Sequence, residues 1–147
     1  MFNKENLKLS IYDKIKPDPT FDDINNVVEI FKIFSGDIII AIGGGSVIDA
    51  AKGADLVIHE VAAVSEQMKK RIPFFSKFEV NHTSPENVGK VFAAVKPKLG
   101  VFTHLVTYGV SPDGIIKRAS KTYSGKMVVG RDLMRISVGK LVRVLDK

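Results

Sequence analysis

The sequence predicts an α/β protein built on a single, mainly parallel sheet flanked by helices, with an antiparallel edge strand at the C-terminus. Three observations carry this. Residues 37–42, 56–58 and 99–102 are short, apolar and mostly β-branched, as strands covered on both faces are. Between them lie amphipathic stretches that open on helix-capping residues. The two kinds alternate along the chain, the pattern of parallel strands joined by helices.

In order, Thr20 precedes Ile24, Val27, Val28, Phe31 and Phe34, which fall at the three-and-four spacing of one buried helical face. Thr20 can cap that helix, Asp22 and Asp23 suit its positive end, Pro17 and Pro19 hold the approach extended, and Ser35-Gly36 stops it. A buried strand follows over residues 37–42, then Gly43-Gly44-Gly45-Ser46, then a helical start at Val47. A second strand, Leu56-Val57-Ile58, ends at His59-Glu60, residues 61–70 read as helix, and residues 81–84 read as a loop. The next helix spans residues 85–94, with Ser84 or Thr83 as cap and Pro85 in the first turn, where its missing N–H costs nothing. A third strand over residues 99–102 ends at Thr103-His104, and a helix over 112–121 and strands over 127–129 and 133–138 complete the chain. The runs 38–42 and 99–102 are expected centrally with helices on both sides, and the last two strands suit an edge.

The chain has 147 residues and no cysteine, which excludes disulfide frameworks, cysteine zinc sites and thiol catalysis. Apolar runs such as residues 38–42 fall far short of the ~20 residues of a membrane span. The first ten residues carry charges with no apolar segment behind them, so neither signal peptide nor anchor is expected, and the protein is expected to be cytoplasmic. The net charge of +6 is uneven: residues 1–53 carry 6 basic and 8 acidic side chains, residues 54–147 carry 16 and 8. Lys69-Lys70-Arg71 and Lys117-Arg118 are short runs without interleaved aromatics, which reads as solvated helix faces rather than a nucleic-acid footprint.

Two groups of residues can carry chemistry. Gly43, Gly44 and Gly45 after a buried strand expose N–H groups beside the positive end of a helix, where a phosphate can sit; the same glycines also serve a tight turn needing positive φ. His59, His82 and His104 cap any imidazole-based site at three ligands plus carboxylates. His59 and His104 close strands, where an open α/β sheet presents side chains to a ligand crevice shared with Glu60 and His82. Taken singly, His59 and His82 read more readily as hydrogen-bonded structural residues, whereas His104 points to function.

Tyr12-Asp13, Pro17-Asp18-Pro19-Thr20, the helix and DIIIAIGGGSVIDAAKG together resemble the iron-containing alcohol dehydrogenase family over about residues 10–53. The resemblance implies that Gly43, Gly44, Gly45 and Ser46 hold the pyrophosphate of NAD(P), with Asp49 nearby. The later Asp and His residues that bind that family's metal have no counterpart, nor do the residues that grip the ribose. GADLVIHEVA, NHTSPENVGKVFAAVKPKLGVFTHLV and YSGKMVVGRDLMRISV resemble the C-terminal part of metallo-β-lactamase-fold hydrolases of the ribonuclease Z and arylsulfatase-like branch, over about residues 51–147. This second resemblance implies His104 as a ligand to zinc or another divalent metal, and His59, Glu60 and His82 as catalytic proton-transfer groups. The principal ligand motif, His-x-His-x-Asp-His, is missing.

The chain is therefore expected to be one composite domain over residues 1–147, with a dehydrogenase-like nucleotide-loop segment over 1–53 and a metallo-β-lactamase-fold segment over 54–147. Three functions stay open. The first is an incomplete metal-dependent hydrolase that cleaves esters or phosphodiesters with metal-activated water, weak or inactive for want of ligands. The others are an NAD(P)- or phosphate-binding dehydrogenase fragment and a catalytically silent domain. The expected partner is a small or phosphate-containing substrate rather than a membrane or nucleic acid, with a homo-oligomer as one way to pool ligands.

Overall fold

The computed structural model describes residues 8–15, 20–35, 40–42, 53–75 and 82–145. Among them, β1 (Ile40–Ile42), β2 (Leu56–Val64), β3 (Leu99–Tyr108) and β4 (Met127–Val129) form one parallel sheet in the order β1-β2-β3-β4. A separate antiparallel ribbon joins β5 (Arg135–Ser137) to β6 (Arg143–Leu145). The helices are α1 (Phe21–Phe34), α2 (Glu66–Arg71), α3 (Pro85–Val95) and α4 (Pro112–Ala119).

The sheet is covered differently on its two faces. Val57 and Val61 of β2 and Phe102 of β3 pack with Val88 and Phe92 of α3 and Ile115 and Ala119 of α4. On the other face Leu56, Leu99 and Val101 meet Val142, flanked by Ile136, Val138 and Val144 from the ribbon and its approaches. Where helices were expected on both faces, the second face is covered, among the described residues, by the ribbon. Its strands alternate, with Ile136 and Val144 inward and Arg135, Ser137 and Arg143 exposed, so three residues apiece are enough to cover apolar surface. The stretch 133–138, expected on the edge of the main sheet, belongs to this ribbon instead.

Two further expectations change. Among the described residues β1 has β2 as its one sheet partner, so it lies at an edge, and β2 takes the central place beside β3. An unbroken apolar run does not report the number of neighbouring strands. Residues 61–64, expected to be helical, extend β2, because Val61, Ala62, Ala63 and Val64 are all at or below 1% exposure and pair with β3 as far as Tyr108. Ser65 then caps α2 by accepting from the Met68 N–H.

The helix caps follow the sequence closely. Ser84 accepts from the Asn87 N–H at 3.3 Å, Pro85 opens α3, and Lys96 closes it in the left-handed region at φ 58°. Thr20 and Asp23 form a reciprocal capping box on α1, and Ser35 ends that helix at φ 52°. Of the α1 face expected to be buried, Val28 is exposed, Val27, Phe31 and Phe34 are half-buried, and none of these four joins either apolar cluster of the described residues; the side chain of Ile24 lies outside what is described. The glycine run 43–46, Asp49 and the helix expected from Val47 lie outside the described residues. No helix among the described residues is long and apolar enough to cross a membrane.

Candidate functional site

The pairing of β2 with β3 is interrupted once. Glu60 pairs with Thr103 and Val61 with Leu105, which leaves His104 as an extra residue without a cross-strand partner. His104 adopts φ 42°, in the left-handed region, at a cost of about 1–2 kcal/mol for a residue with a Cβ. Such bulges bend a strand and re-aim a side chain, and here the residue so presented is an exposed imidazole.

A second irregularity brings its neighbours. β1 ends level with Ile58, so the rest of that edge of β2 is free for another segment. Residues 82–84 take the place: the Ala62 N–H donates to the Thr83 carbonyl at 2.9 Å, and the Thr83 N–H donates to Glu60 Oε1 at 2.7 Å. His82 Nδ1 then lies 3.5 Å from Glu60 Oε2, and its ring centre lies 6.4 Å from that of His104. Glu60 Oε2 is buried with no hydrogen bond among the described residues, so it gains an ionic partner when His82 carries a proton.

Glu60, His82 and His104 therefore come together, as the sequence suggested, at the C-terminal part of the sheet. His59 does not join them. Successive residues of a strand point to opposite faces, so His59 lies on the helix side with Val57 and Val61, 2% exposed. Its Nδ1 is 2.6 Å from the Glu60 carbonyl, to which it donates when that nitrogen is protonated. Both strands also continue past the histidines that were read as their ends.

A carboxylate beside an imidazole can pass a proton. A metal is a harder fit. Catalytic zinc takes three protein ligands, and among the described residues no three His, Asp or Glu side chains converge to hold an ion.

Beside this group, on the ribbon side of β3, lies an open cleft of about 480 Å³. Ile58, Val101, Met134 and Ile136 line it, and His104, Arg131 and Asp132 also border it. The sequence reading missed Arg131 and Asp132. The available signal was their place directly after the strand over 127–129, at the same end of a parallel sheet as His104. The Gly130 N–H donates to the Phe102 carbonyl at 2.8 Å and ties this segment to the end of β3.

Elsewhere, charges are structural. Arg118 grips Glu86 with two hydrogen bonds of 2.8 Å and donates to the Val64 carbonyl at 3.2 Å, which joins α4 to α3 and β2. That hydrogen-bonded guanidinium, against the opposing effect of burial, holds the Glu86 carboxyl below its ordinary value. Burial raises the Tyr123 hydroxyl, which donates to the Pro97 carbonyl at 3.0 Å.

Residues 1–95 match the iron-containing alcohol dehydrogenase family, well past residue 53, where the sequence resemblance was expected to end. Alcohol dehydrogenase 4 of Schizosaccharomyces pombe is 29% identical over 82 residues, covering 52% of this chain and 19% of that protein. The long-chain primary alcohol dehydrogenase AdhA of Thermoanaerobacter ethanolicus is 41% identical over 51 residues, or 35% of this chain and 13% of that protein. The chain spans about a fifth or less of the length of these curated relatives. Among solved structures, the metallo-beta-lactamase fold protein YhfI from Bacillus subtilis aligns with a TM-score of 0.46 and 18% identity, over 71% of this chain and 36% of that one.

Proposed function

The chain belongs to the iron-containing alcohol dehydrogenase family, and from that footing we propose that it binds the pyrophosphate of a nicotinamide dinucleotide at Gly43, Gly44, Gly45 and Ser46, with Asp49 beside them. The observation that supports this is the position of β1. It ends at Ile42, the residue before the glycines, within a parallel sheet. Ligands of such sheets sit beyond the C-terminal ends of the strands, and a glycine run there leaves backbone N–H groups open to an anion. Ile42 is level with Ile58, and Ile58 with Val101, so the glycine run starts from the same end of the sheet as His104.

When bound, the nicotinamide supplies hydride-transfer chemistry. The chain's own contribution is to hold the phosphates. The family's iron needs several donors, and none of the described residues converge in threes, so no oxidation step through a metal follows from this chain alone. Fluorescence titration with NADH and NADPH tests the proposal. Binding is expected to be alike for both cofactors, because the glycine run grips the pyrophosphate that NAD and NADP share, and Gly44→Val is expected to abolish it by placing a side chain against the phosphate. Equal binding by the variant, or a strong preference for one cofactor, sinks the idea.

A second reading rests on the Glu60–His82 pair, 3.5 Å apart, beside His104: a hydrolase of esters or phosphodiesters whose metal can only be held weakly, since among the described residues no three donors are placed to hold an ion. Within one chain, zinc or another divalent ion would then be held weakly by His104 with help from His82 or Glu60. Elemental analysis after purification without chelator is expected to give at most one ion per chain, lost in His104→Ala. Two tightly held ions per monomer contradict that limit. Absence of both nucleotide and metal leaves a catalytically silent domain.

A further inference from the structure

The cleft beside β3 has a composition of its own. Its floor is apolar: Val101 is buried, and Ile58, Met134 and Ile136 are half-buried. Its volume of about 480 Å³ is that of small-molecule sites, which pair an apolar lining with a few placed polar groups. Met134 contributes a flexible thioether that adapts to the shape of a guest.

The polar end is built around Arg131. Its backbone is held on both sides, by the Gly130 N–H on the Phe102 carbonyl at 2.8 Å and by the Met134 N–H on the Arg131 carbonyl at 3.1 Å. Its side chain is exposed and has no partner among the described residues. A guanidinium presents a planar fork that matches a carboxylate. Arg131 is the one Lys or Arg among the described residues that line the cleft, and it is the group there that can take an anion. Asp132 borders the same cleft, and its charge weighs twice as heavily against a dianionic phosphate head as against a carboxylate.

We propose that this cleft binds a small amphipathic carboxylate, with its aliphatic chain on Ile58, Val101, Met134 and Ile136 and its head on Arg131 beside His104. The chain length then sets affinity through the apolar floor, and the charge sets it through one side chain.

Calorimetric titration of the whole chain with hexanoate, octanoate and decanoate, below their micellar concentrations, tests both halves. Affinity is expected to rise about fourfold per methylene buried. Arg131→Gln, an exposed position, is expected to weaken octanoate several-fold and leave 1-octanol unchanged, while Lys117→Gln on the far face of the sheet changes neither. Affinity indifferent to chain length, no saturable binding, or equal weakening by Lys117→Gln would overturn the proposal. Tighter binding of octyl phosphate than of octanoate would overturn the assignment of the head group.

Discussion

Gly100 sits in the middle of the sheet, opposite Val57 on one side and Met127 on the other, with no room for a side chain. A Cβ there would meet three carbons of the Phe92 ring at 2.5, 2.7 and 2.9 Å. Carbon atoms settle at about 3.5–4.0 Å, so the ring must retreat by about 1 Å. It has little space to do so, because Phe92 is fully buried with its ring centre 5.4 Å from that of Phe102 and 5.8 Å from that of Tyr123. Overpacking of this kind costs about 1–3 kcal/mol, and the entropy removed from the unfolded chain by Gly→Ala returns about 0.4–1 kcal/mol. Gly100→Ala is therefore expected to destabilise the protein by about 1–2 kcal/mol. Phe92→Leu deletes outer ring carbons that the new methyl would strike. In that background Gly100→Ala is expected to cost almost nothing, giving a coupling of about 1–2 kcal/mol in a double-mutant cycle. Urea unfolding followed by circular dichroism, with the slope unchanged between variants, reads these values. Additive losses, or a Gly100→Ala protein as stable as its parent, refute the packing described for α3 against β3.

Three other outcomes follow from the same geometry. Because Arg118 lowers the folded-state value of Glu86, the ion pair is fully present above the ordinary carboxyl value of 4.5 and is lost as the pH falls through the lowered one. The gap in melting temperature between the parent and Glu86→Gln is expected to close between about pH 6 and about pH 3, and a constant gap contradicts the pairing. Ser84→Ala removes the acceptor for the Asn87 N–H and is expected to cost about 1 kcal/mol in urea unfolding, whereas Ser84→Asp retains most of it. His104→Gly relieves the left-handed backbone and is expected to raise stability by about 1 kcal/mol; a loss of that size would mean that the imidazole holds the bulge in place.

The elements legible in the sequence are those whose signals are local. Ser84-Pro85 announces α3 by capping chemistry, and Thr20 with Asp23 announces α1, because the residues that start a helix are adjacent in the chain. The strand Met127–Val129 lies where its β-branched run stands. What escaped reading depends on distant partners. Residues 61–64 read as helix on composition, and only burial on both faces and pairing with β3 makes them strand. Strand β5 lies within the stretch 133–138 read as strand, but its pairing with β6 apart from the main sheet depends on which segment folds back against it. At the site, the grouping of Glu60 with His82 and His104 was visible from strand ends. The exclusion of His59 was also available, from alternation alone, once the strand was known to continue past it. The bulge at His104 and the cleft lined by Arg131 were not, since both arise from how two segments meet.

The central claim is that an anion sits on the backbone at the glycine run, and a residue-resolved measurement reaches it most directly. The ¹⁵N-labelled chain, titrated with NAD⁺ and followed by amide chemical shifts, is predicted to show its largest, saturable changes at Gly43, Gly44, Gly45 and Ser46, with inorganic pyrophosphate moving the same four signals. Largest changes elsewhere, or none at these four while other amides respond, would contradict the account.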